Sequence, residues 1–340
     1  MKNIAVIYGS DSSEWEISVR SGEFTASQID SEIYDVYEIF ARFGSWSLRA
    51  YRKAGQERVL VPEEERPSVD KTDFSVVLDG EKVRFEYAYI MQHGNPGENG
   101  LMQGYLEMLG IPHSGCNAFV SAITFDKFSC KAYLKDVDFV RCADDMFIRK
   151  GDVLEGLAER AVSKLGLPMF VKPTDGGSSF GVTKVKTIED FDKAVEYAFA
   201  EGEMVLAEAA VSGRELTCAV YNDGKENVAL PVIEIITENE YFDYEAKYLG
   251  KSREVCPAEI PETLKDEIQS VSKRIYAQLG CSGVVRVDYI ASEDGLYFLE
   301  VNTIPGMTSA SLVPQMVAAA GMRMTDFLGT IIRNSFSKAE

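Results

Sequence analysis

The amino-acid sequence predicts an α/β protein that is built from more than one domain. Residues 3–8 form a short apolar run typical of a buried strand, 9–13 a polar loop, and 14–28 a helix. This order of strand, loop and helix opens doubly wound α/β units. The length of 340 residues also exceeds what a single hydrophobic core usually holds. We therefore expect two or three domains, the first with a doubly wound, parallel-type sheet.

The first domain is expected to span residues 1–115. Its last strand ends in a loop of Gly, Asn and Pro, and the helix at 100–109 that follows is terminated by Gly110 and Pro112. The G-x-G-x-x-G fingerprint of dinucleotide-binding folds is absent from the sequence, so a dinucleotide site is not supported. Strands of this domain after the first are predicted at 35–40, 47–51, 58–61, 74–78 and 83–90.

The second domain is expected at residues 116–210 and mixes helices with strands. Asp152 is predicted to cap one of its helices, and Thr187 another, because short polar side chains favour helix N-caps. A loop at 174–181 contains too much Gly and Ser for a regular element. The helices are predicted at 118–135, 151–165 and 188–200, and the strands at 168–173, 182–186 and 204–211.

The third domain is expected at residues 211–340 and opens with a hairpin pattern. The turn of this hairpin is predicted at 222–224, where Asn, Asp and Gly follow one another. A polar, Tyr-rich segment comes next and has little apolar periodicity. Long loops of this kind in compact domains often act as lids. We expect such a lid near residues 238–258.

Two neighbouring strand-like runs between residues 283 and 314 each carry a pair of polar side chains. Arg286 and Asp288 lie two residues apart in the first run, as do Glu300 and Asn302 in the second, so each pair shares one strand face. If the strands pair, these oxygen ligands suit Mg²⁺ held together with substrate phosphates. The alternative is an ordinary strand pair with one solvated face. The pairing register is not determined by the sequence.

A second candidate site combines a lysine with a Gly-Ser loop. The sequence contains no G-x-x-x-x-G-K-[ST] phosphate loop, but Lys172 precedes the loop at 174–181 between two strands. Glycines allow backbone N–H groups to approach a phosphate, hydroxyls add donors, and the lysine supplies positive charge. Loops of this composition are also common as plain hairpin turns, so this pattern alone leaves both interpretations open.

Charge and cysteine content limit the classes of function. A net charge of −19 argues against a general nucleic-acid or anionic-membrane surface. The six cysteines form no C-x-x-C pair, which favours free thiols over a zinc site or a disulfide framework. The first residues lack the apolar core of a signal peptide, and no stretch approaches the ~20 apolar residues of a membrane span. These features predict a cytoplasmic enzyme.

Six segments in a fixed order carry a resemblance that covers nearly the whole chain. The sequence resembles the D-alanine–D-alanine ligases of the ATP-grasp superfamily. The resemblance implies three domains, with ATP clasped between the second and the third. The matching segments are HGNPGENGLMQG (93–104), TFDKFSCK (124–131), VKPTDGGSSFGV (171–182), FDYEAKY (242–248), RVDY (286–289) and LEVNTIPGMTSASLVP (299–314).

The resemblance implies a full set of ATP contacts. Lys127 and Lys172 would contact the phosphates together with Ser179, and Lys247 would reach the γ-phosphate when the lid closes. Adenine and ribose would be bound by Glu208, by the backbone between Ala209 and Val211, and by Glu215.

The resemblance also implies the residues of the chemical step. Two Mg²⁺ or Mn²⁺ ions would be held by Asp288, Glu300 and Asn302. The carboxylate of one D-alanine would take the γ-phosphoryl group of ATP, and the amine of a second would then attack the acyl phosphate. Arg286 and the N–H of Gly306 would stabilise the resulting oxyanion.

Substrate-binding roles follow from the same resemblance. Glu16 would hold the ammonium group of the first D-alanine, with His93 nearby, and Ser311 and Leu312 would receive the carboxylate of the second at a helix N-terminus. An alternative for Glu16 is that it only complements the helix dipole. Tyr248 would join Glu16 and Ser178 in a hydrogen-bonded group.

The implied function is D-alanyl-D-alanine synthesis for peptidoglycan precursors. A tyrosine at position 248 favours an amine as the second nucleophile. Two alternatives remain at this point: the same fold that ligates D-alanine to D-serine or to another amino or hydroxy acid, and a nucleotide-binding regulator that has lost catalysis. The resemblance further implies a homodimer formed through the first domain.

Overall fold

The computed structural model describes residues 1–152, 155–176, 180–237 and 252–337. Within these ranges the strands form three sheets and one separate hairpin. Each sheet draws its strands from a different part of the chain, in the order that the sequence predicts. The helices pack against the sheet faces, and a cavity lies between the second and third sheets, next to residues 14–20 and 93–98 of the N-terminal part.

The N-terminal sheet has the strand order β4-β3-β2-β1-β7. The inner strand β1, which lies between β2 and β7, is fully buried from Ile4 to Tyr8, and this explains the continuous apolar run. Pairing is parallel for β2-β1-β7 and antiparallel towards β3 and β4, so the sheet is mixed. The bounds are β1 (Lys2–Tyr8), α1 (Trp15–Gln28), β2 (Tyr34–Arg42), β3 (Ser45–Arg52), β4 (Val59–Leu60), β7 (Tyr87–Ile90) and α2 (Leu101–Met108).

The strand predicted at 83–90 is divided in the structure. Its first residues belong to a strand that pairs antiparallel with the preceding strand in a small hairpin. Its last residues form a strand of the N-terminal sheet that pairs with β1. Phe85 lies at the division and is buried against Phe74. The separate hairpin consists of β5 (Ser75–Leu78) and β6 (Glu81–Arg84).

The central sheet is antiparallel and has the strand order β10-β9-β11-β8. The predicted helix cap at Asp152 is wrong, because its carboxylate accepts a hydrogen bond from Arg149 N and closes a turn. The helix begins only after Gly156. The bounds are β8 (Asp145–Arg149), α5 (Leu157–Leu165), β9 (Met169–Pro173), β10 (Thr183–Val185), α6 (Phe191–Phe199) and β11 (Met204–Ala209).

The single helix predicted at 118–135 is two helices, α3 (Ala118–Phe125) and α4 (Lys127–Leu134). Asp126 separates them with an extended backbone, and its Oδ1 accepts a hydrogen bond from Ser129 N at 2.6 Å. It is therefore the N-cap of the second helix. This break places Lys127 at the first residue of α4, next to the cavity.

The third sheet is antiparallel with the order β15-β14-β12-β16-β17, and β13 pairs with β12. The predicted turn at 222–224 is confirmed by the pairing of β12 with β13. The bounds are β12 (Arg214–Asn222), β13 (Asn227–Ala229), β14 (Ile233–Thr237), β15 (Ser252–Val255), α7 (Glu262–Leu279), β16 (Val284–Ser292), β17 (Gly295–Asn302), α8 (Leu312–Ala319) and α9 (Met324–Ser337).

Packing groups the chain differently from the expected domain bounds. The N-terminal sheet shares its core with α8 and α9 at the other end of the sequence, and Phe327 and Leu328 of α9 are fully buried there. Residues of α3 and α4, which we assigned to the central domain, pack instead with α7 on the third sheet. The apolar faces of these helices pack against elements that are distant in sequence. Hydrophobic periodicity predicts that a helix has an apolar face but not which element covers it.

The described residues include every cysteine and almost all of the apolar segments of the chain. All six cysteines are free, and four of them are buried. Across the described ranges, no helix combines the length and the apolar character that membrane crossing requires.

Candidate active site

A cavity of about 930 Å³ opens between the central and third sheets and is also lined by residues of α1 and of the segment after β7. It gathers residues that are more than 200 positions apart in the sequence. Ser178, Ser179, Lys247 and Tyr248 lie outside the described residues, as does most of the expected lid. The predicted site residues that line the cavity are His93, Lys127, Lys172, Glu208, Ala209, Val211, Glu215, Arg286, Glu300, Asn302, Gly306, Ser311 and Leu312.

The paired strands β16 and β17 bring the polar face of residues 286–302 together. Asp288 lies opposite Glu300, and Arg286 lies opposite Asn302. Asn302 Nδ2 donates to Asp288 Oδ2 at 2.9 Å. The register that the sequence left open therefore places both carboxylates and the amide side by side.

Asp288 is buried and fully engaged by neighbouring donors. Arg286 donates to both carboxylate oxygens, at 2.9 and 2.8 Å, and Thr217 Oγ1 donates to Oδ1 at 2.5 Å. Thr217 stands opposite Asp288 on the adjacent strand β12 and is fully buried. Thr217 could not be predicted from the sequence, because its contact depends on the pairing of two strands about 70 residues apart.

Lys127 joins α4 to the same cluster. Its Nζ lies 3.1 Å from Glu300 Oε2 and donates to Gly176 O at 3.0 Å. Burial lowers the pKa of Lys127, but the carboxylate of Glu300 more than offsets this, so the pKa lies above its ordinary value. Lys127 is therefore a fixed cation between the Gly-Ser loop and the acidic cluster.

Glu208 on β11 binds two lysines within the cavity wall. Lys172 Nζ donates to Oε2 at 2.6 Å, and Lys131 Nζ donates to Oε1 at 2.5 Å. Burial raises the pKa of the Glu208 carboxyl, but the two ammonium groups more than offset this and hold the pKa below its ordinary value. Glu208 is thus an ionised, buried acceptor. Lys131 was not identified from the sequence.

The backbone that follows Glu208, from Ala209 to Glu215, lines the cavity. Ala209 N donates to Asp144 O at 2.9 Å, and Ala210 N donates to Pro168 O at 3.2 Å. Both N–H groups are therefore engaged within the protein. Val211 and Glu215 follow and line the same part of the cavity.

His93 connects the N-terminal sheet to the segment after β17. Nδ1 donates to Ile304 O at 3.1 Å, and Nε2 accepts from Ser21 Oγ at 3.0 Å. Burial lowers the pKa of His93 and favours the neutral ring, in which Nδ1 donates and Nε2 accepts. Ser21 Oγ also accepts from Met307 N at 3.3 Å. His93 therefore holds residues 304–307 against α1.

The segment that ends at α8 is closely packed around Gly306. A Cβ atom at this position would lie 3.0 Å from Ser311 Oγ, so only glycine fits without a shift. Ser311 is the N-cap of α8, and its Oγ accepts from Thr308 N at 3.0 Å. The arrangement directs a helix N-terminus towards the cavity, where an anion is favoured.

Glu16 is not among the described residues that line the cavity, and its predicted partners Ser178 and Tyr248 lie outside the described residues, so its substrate role stays a prediction. Glu16 lies in the first turn of α1, exposed and away from the cavity lining. Glu14, at the N-cap position, lines the cavity instead. Its N–H donates to Ser12 Oγ, which in turn donates to His93 O at 2.8 Å. Glu14 and Glu16 both lie at the junction between the loop and α1. The residue at which the helix begins therefore determines which of the two acids lines the cavity.

A further acid in the cavity, Glu98, was not identified as a site residue. Its Oε2 accepts a hydrogen bond from Gly94 N at 2.6 Å. Burial, and next the negative charge of Glu14, raise the pKa of Glu98 to about 8. Its position in the segment HGNPGENG was a signal that could have identified it.

Comparisons with known proteins agree with this geometry. A family model described as D-ala D-ala ligase N-terminus matches residues 3–116, and one described as D-ala D-ala ligase C-terminus matches residues 134–333. The D-alanine–D-alanine ligase of Phocaeicola vulgatus is 44% identical over 336 residues, which cover 98% of this chain and 99% of that relative. This chain belongs to the D-alanine–D-alanine ligase family.

Solved structures of the ATP-grasp fold extend the likeness to the whole chain. The crystal structure of the VanG D-Ala:D-Ser ligase from Enterococcus faecalis has a TM-score of 0.85 and 30% identity, and covers 98% of this chain and 99% of that chain. The D-alanine–D-alanine ligase from Bacillus anthracis complexed with ATP has a TM-score of 0.74 and 28% identity, with 100% and 98% covered. As a D-alanine–D-alanine ligase family member, the chain is an ATP-dependent ligase with D-alanine as its substrate.

Proposed function

We propose that the chain makes D-alanyl-D-alanine through a D-alanyl phosphate, with the residue roles that follow. The observation that carries this proposal is the convergence of Lys127, Lys172 and Arg286 on one cavity, each paired with a carboxylate. When substrates bind, these cations can leave their carboxylate partners and pair instead with the phosphates of ATP and with the oxyanion. The dipeptide product would serve peptidoglycan precursor synthesis.

The nucleotide half of the site would lie along β11 and the central sheet. Glu208 accepts hydrogen bonds only, which suits the amino group of adenine, and Val211 N would be the backbone donor because Ala209 N and Ala210 N are engaged. Glu215 would bind the ribose hydroxyls. Lys127 and Lys172 would turn to the phosphates, joined by Ser179 and Lys247.

The residues of the third sheet fit a divalent cation. Asp288, Glu300 and Asn302 present hard oxygen ligands, and within the described ranges no group of three or more acidic, His or Cys side chains is arranged as a complete ligand set. This fits Mg²⁺ or Mn²⁺, which take one or two carboxylates and complete their shell with substrate phosphates. Two such ions would neutralise charge on the transferring phosphoryl group.

The acyl half of the reaction would use Glu14 and Arg286. Glu14 would bind the ammonium group of the first D-alanine, whose carboxylate oxygen attacks the γ-phosphorus of ATP and releases ADP. The amine of the second D-alanine then attacks the acyl carbon, the tetrahedral intermediate expels phosphate, and the amine loses its proton. Arg286 and Gly306 N would stabilise the oxyanion, and Ser311 and Leu312 would seat the second carboxylate.

Comparison of Glu14 with Glu16 tests the substrate assignment. We expect Glu14→Gln to raise KM for the first D-alanine at least about tenfold, since a charge-assisted hydrogen bond contributes roughly 1.5–3 kcal/mol, while KM for ATP changes little. Glu16→Gln is the matched control and should behave like the unaltered protein. Initial rates of phosphate release at varied D-alanine give both constants. If Glu16→Gln shows the larger effect, our assignment is wrong and the sequence-based one is right.

Glu98 provides a prediction for stability against pH. Its pKa of about 8 in the folded protein exceeds the ordinary carboxyl value, so the folded state binds the extra proton. This stabilisation is complete below the ordinary pKa and is lost as pH rises towards 8. Glu98→Gln should therefore remove a decline of the order of a few kcal/mol in the free energy of unfolding between about pH 5 and 8. Urea unfolding at a series of pH values measures it.

The exposed Glu81→Gln variant removes a carboxyl on the hairpin β5–β6 and serves as the control. Its stability curve should keep the shape of the unaltered protein. Parallel curves for the unaltered protein and Glu98→Gln would show that Glu98 does not hold its proton in the folded state.

We further propose a homodimer and a cytoplasmic location. The family resemblance implies the dimer, and apolar side chains on α2, α3 and α4 support it: Leu101, Met108, Phe119 and Tyr133 are all exposed. Free cysteines fit a reducing compartment. Ser178 and Tyr248, in the proposed hydrogen-bonded group near the lid, remain family-based assignments. Sedimentation equilibrium would measure the assembly state.

A further inference from the structure

Lys131 has three hydrogen-bonding partners and little contact with solvent. Its Nζ lies 2.5 Å from Glu208 Oε1, 2.7 Å from Asp145 Oδ2 and 3.0 Å from Ala143 O, and 5% of its side chain is exposed. It lies behind the cavity wall and is not among the residues that line the cavity. A buried lysine with this many acceptors has a fixed position and orients the groups around it.

The two lysines bound to Glu208 differ in what they face. Lys172 lines the cavity and is proposed to bind ATP phosphates, so it would leave Glu208 when the nucleotide enters. Lys131 is not among the residues that line the cavity, and it has its own counter-charge in Asp145. In the nucleotide-bound state Lys131 would therefore be the remaining cation on Glu208, and the one that decides how the carboxylate is charged and directed.

We propose that Lys131 is a positioning residue that keeps Glu208 ionised and directed at the purine, and thereby sets the preference for a nucleotide with an amino group at C6. An ionised carboxylate only accepts hydrogen bonds, so it pairs with the 6-amino group of ATP and repels the 6-oxo group of ITP. Without Lys131, the buried carboxyl binds a proton and can donate to a 6-oxo group. This inference rests on the proposed role of Glu208 at adenine.

A purely structural role for Lys131 predicts something different. Lys131 also connects α4 to β8 through Asp145, and loss of that connection would loosen the cavity wall for every nucleotide alike. The ratio of kcat/KM for ATP to kcat/KM for ITP separates the two roles. A structural connection changes both values in parallel, whereas a positioning residue changes their ratio.

The test compares Lys131→Met with the unaltered full-length protein. We expect KM for ATP to rise and the ATP-to-ITP ratio of kcat/KM to fall at least about tenfold, with kcat at saturating ATP changed much less. Dissociation constants for ADP and IDP, measured by calorimetry, should converge by a similar factor. A ratio that stays within about twofold, or an equal loss for both nucleotides, overturns the proposal.

Three further variants interpret this result. Lys131→Arg keeps the charge and should retain most of the preference. Lys164→Met should leave it unchanged, since within the described residues Lys164 donates to the backbone oxygen of Asp145 and not to Glu208. Glu208→Gln tests the underlying assignment: if it preserves the preference, Glu208 does not read adenine and the proposed function fails at that point. If Glu208→Gln abolishes the preference while Lys131→Met does not, only the role of Lys131 is rejected. Should Lys131→Met not fold, Lys131→Gln replaces it, with the same expected fall in the ratio.

Discussion

Replacement of Arg286 by alanine is expected to lower kcat by about a hundredfold or more, because the change removes a donor aimed at the developing oxyanion. KM for ATP should change much less, since Arg286 lies on the third sheet, whereas the proposed adenine contact Glu208 lies on the central sheet. Rates of phosphate release at saturating ATP and D-alanine measure the effect. Calorimetric binding of ADP shows whether the nucleotide site is intact.

Arg286 also has a positioning role that the variants can separate. It donates to both oxygens of Asp288, so alanine leaves that buried carboxylate with Thr217 and Asn302 as donors. Arg286→Lys keeps a charge but cannot form the two-pronged contact, and it should fall between alanine and the unaltered protein.

Arg141→Ala is the matched control for Arg286, since Arg141 pairs with Asp294 at the exposed turn of the same hairpin and lies outside the cavity lining. It should keep nearly full activity. If Arg286→Ala lowers kcat less than about threefold while ADP still binds, Arg286 is not the oxyanion donor.

Asp288→Asn is expected to have the second large effect, a loss of at least about a hundredfold in kcat/KM for ATP. The amide is nearly isosteric with the carboxylate but removes the negative charge that would hold the divalent cation. It also leaves Arg286 without its counter-charge, which is costly in a buried site. The concentration of Mg²⁺ for half-maximal rate should rise in parallel.

Binding of Mn²⁺ in the presence of ADP, followed by electron paramagnetic resonance, gives a readout that does not depend on turnover. Asp288→Asn should weaken this binding by about tenfold or more. Glu293→Gln removes an exposed carboxylate from the same hairpin and should bind Mn²⁺ normally. Unchanged Mn²⁺ affinity in Asp288→Asn would remove Asp288 from the proposed metal ligands.

Much of the fold follows from local patterns. The buried run of β1 and the Asn-Asp-Gly turn after β12 express preferences that a few consecutive residues carry, so they were predicted correctly. Local polar residues do not determine the structure where one residue type can serve more than one purpose. Asp126 interrupts a long helical pattern by capping a new helix, and Asp152 closes a turn where a helix cap was expected.

The candidate site shows the same division between local and distant information. The residue types around 286–302 predicted hard oxygen ligands. Whether these ligands lie together depends on the strand register, which places Asp288 opposite Glu300. The sequence pattern does not show which of Glu14 and Glu16 lines the cavity, because a small shift in the residue at which α1 begins would turn the other acid towards it. Thr217 and Lys131 carry no motif of their own, and they became visible only through their distances to Asp288 and Glu208.

By itself, the sequence determined the class of fold, the order of its strands and helices, and the chemical nature of the site, because these depend on residue type and short spacing. Only the tertiary structure decided which charges pair across the cavity. It also decided which acid lines the cavity among the described residues, and which helices cover which sheet. These choices depend on contacts between residues far apart in the chain, where burial and the pairing of opposite charges select one arrangement among several that local preference allows.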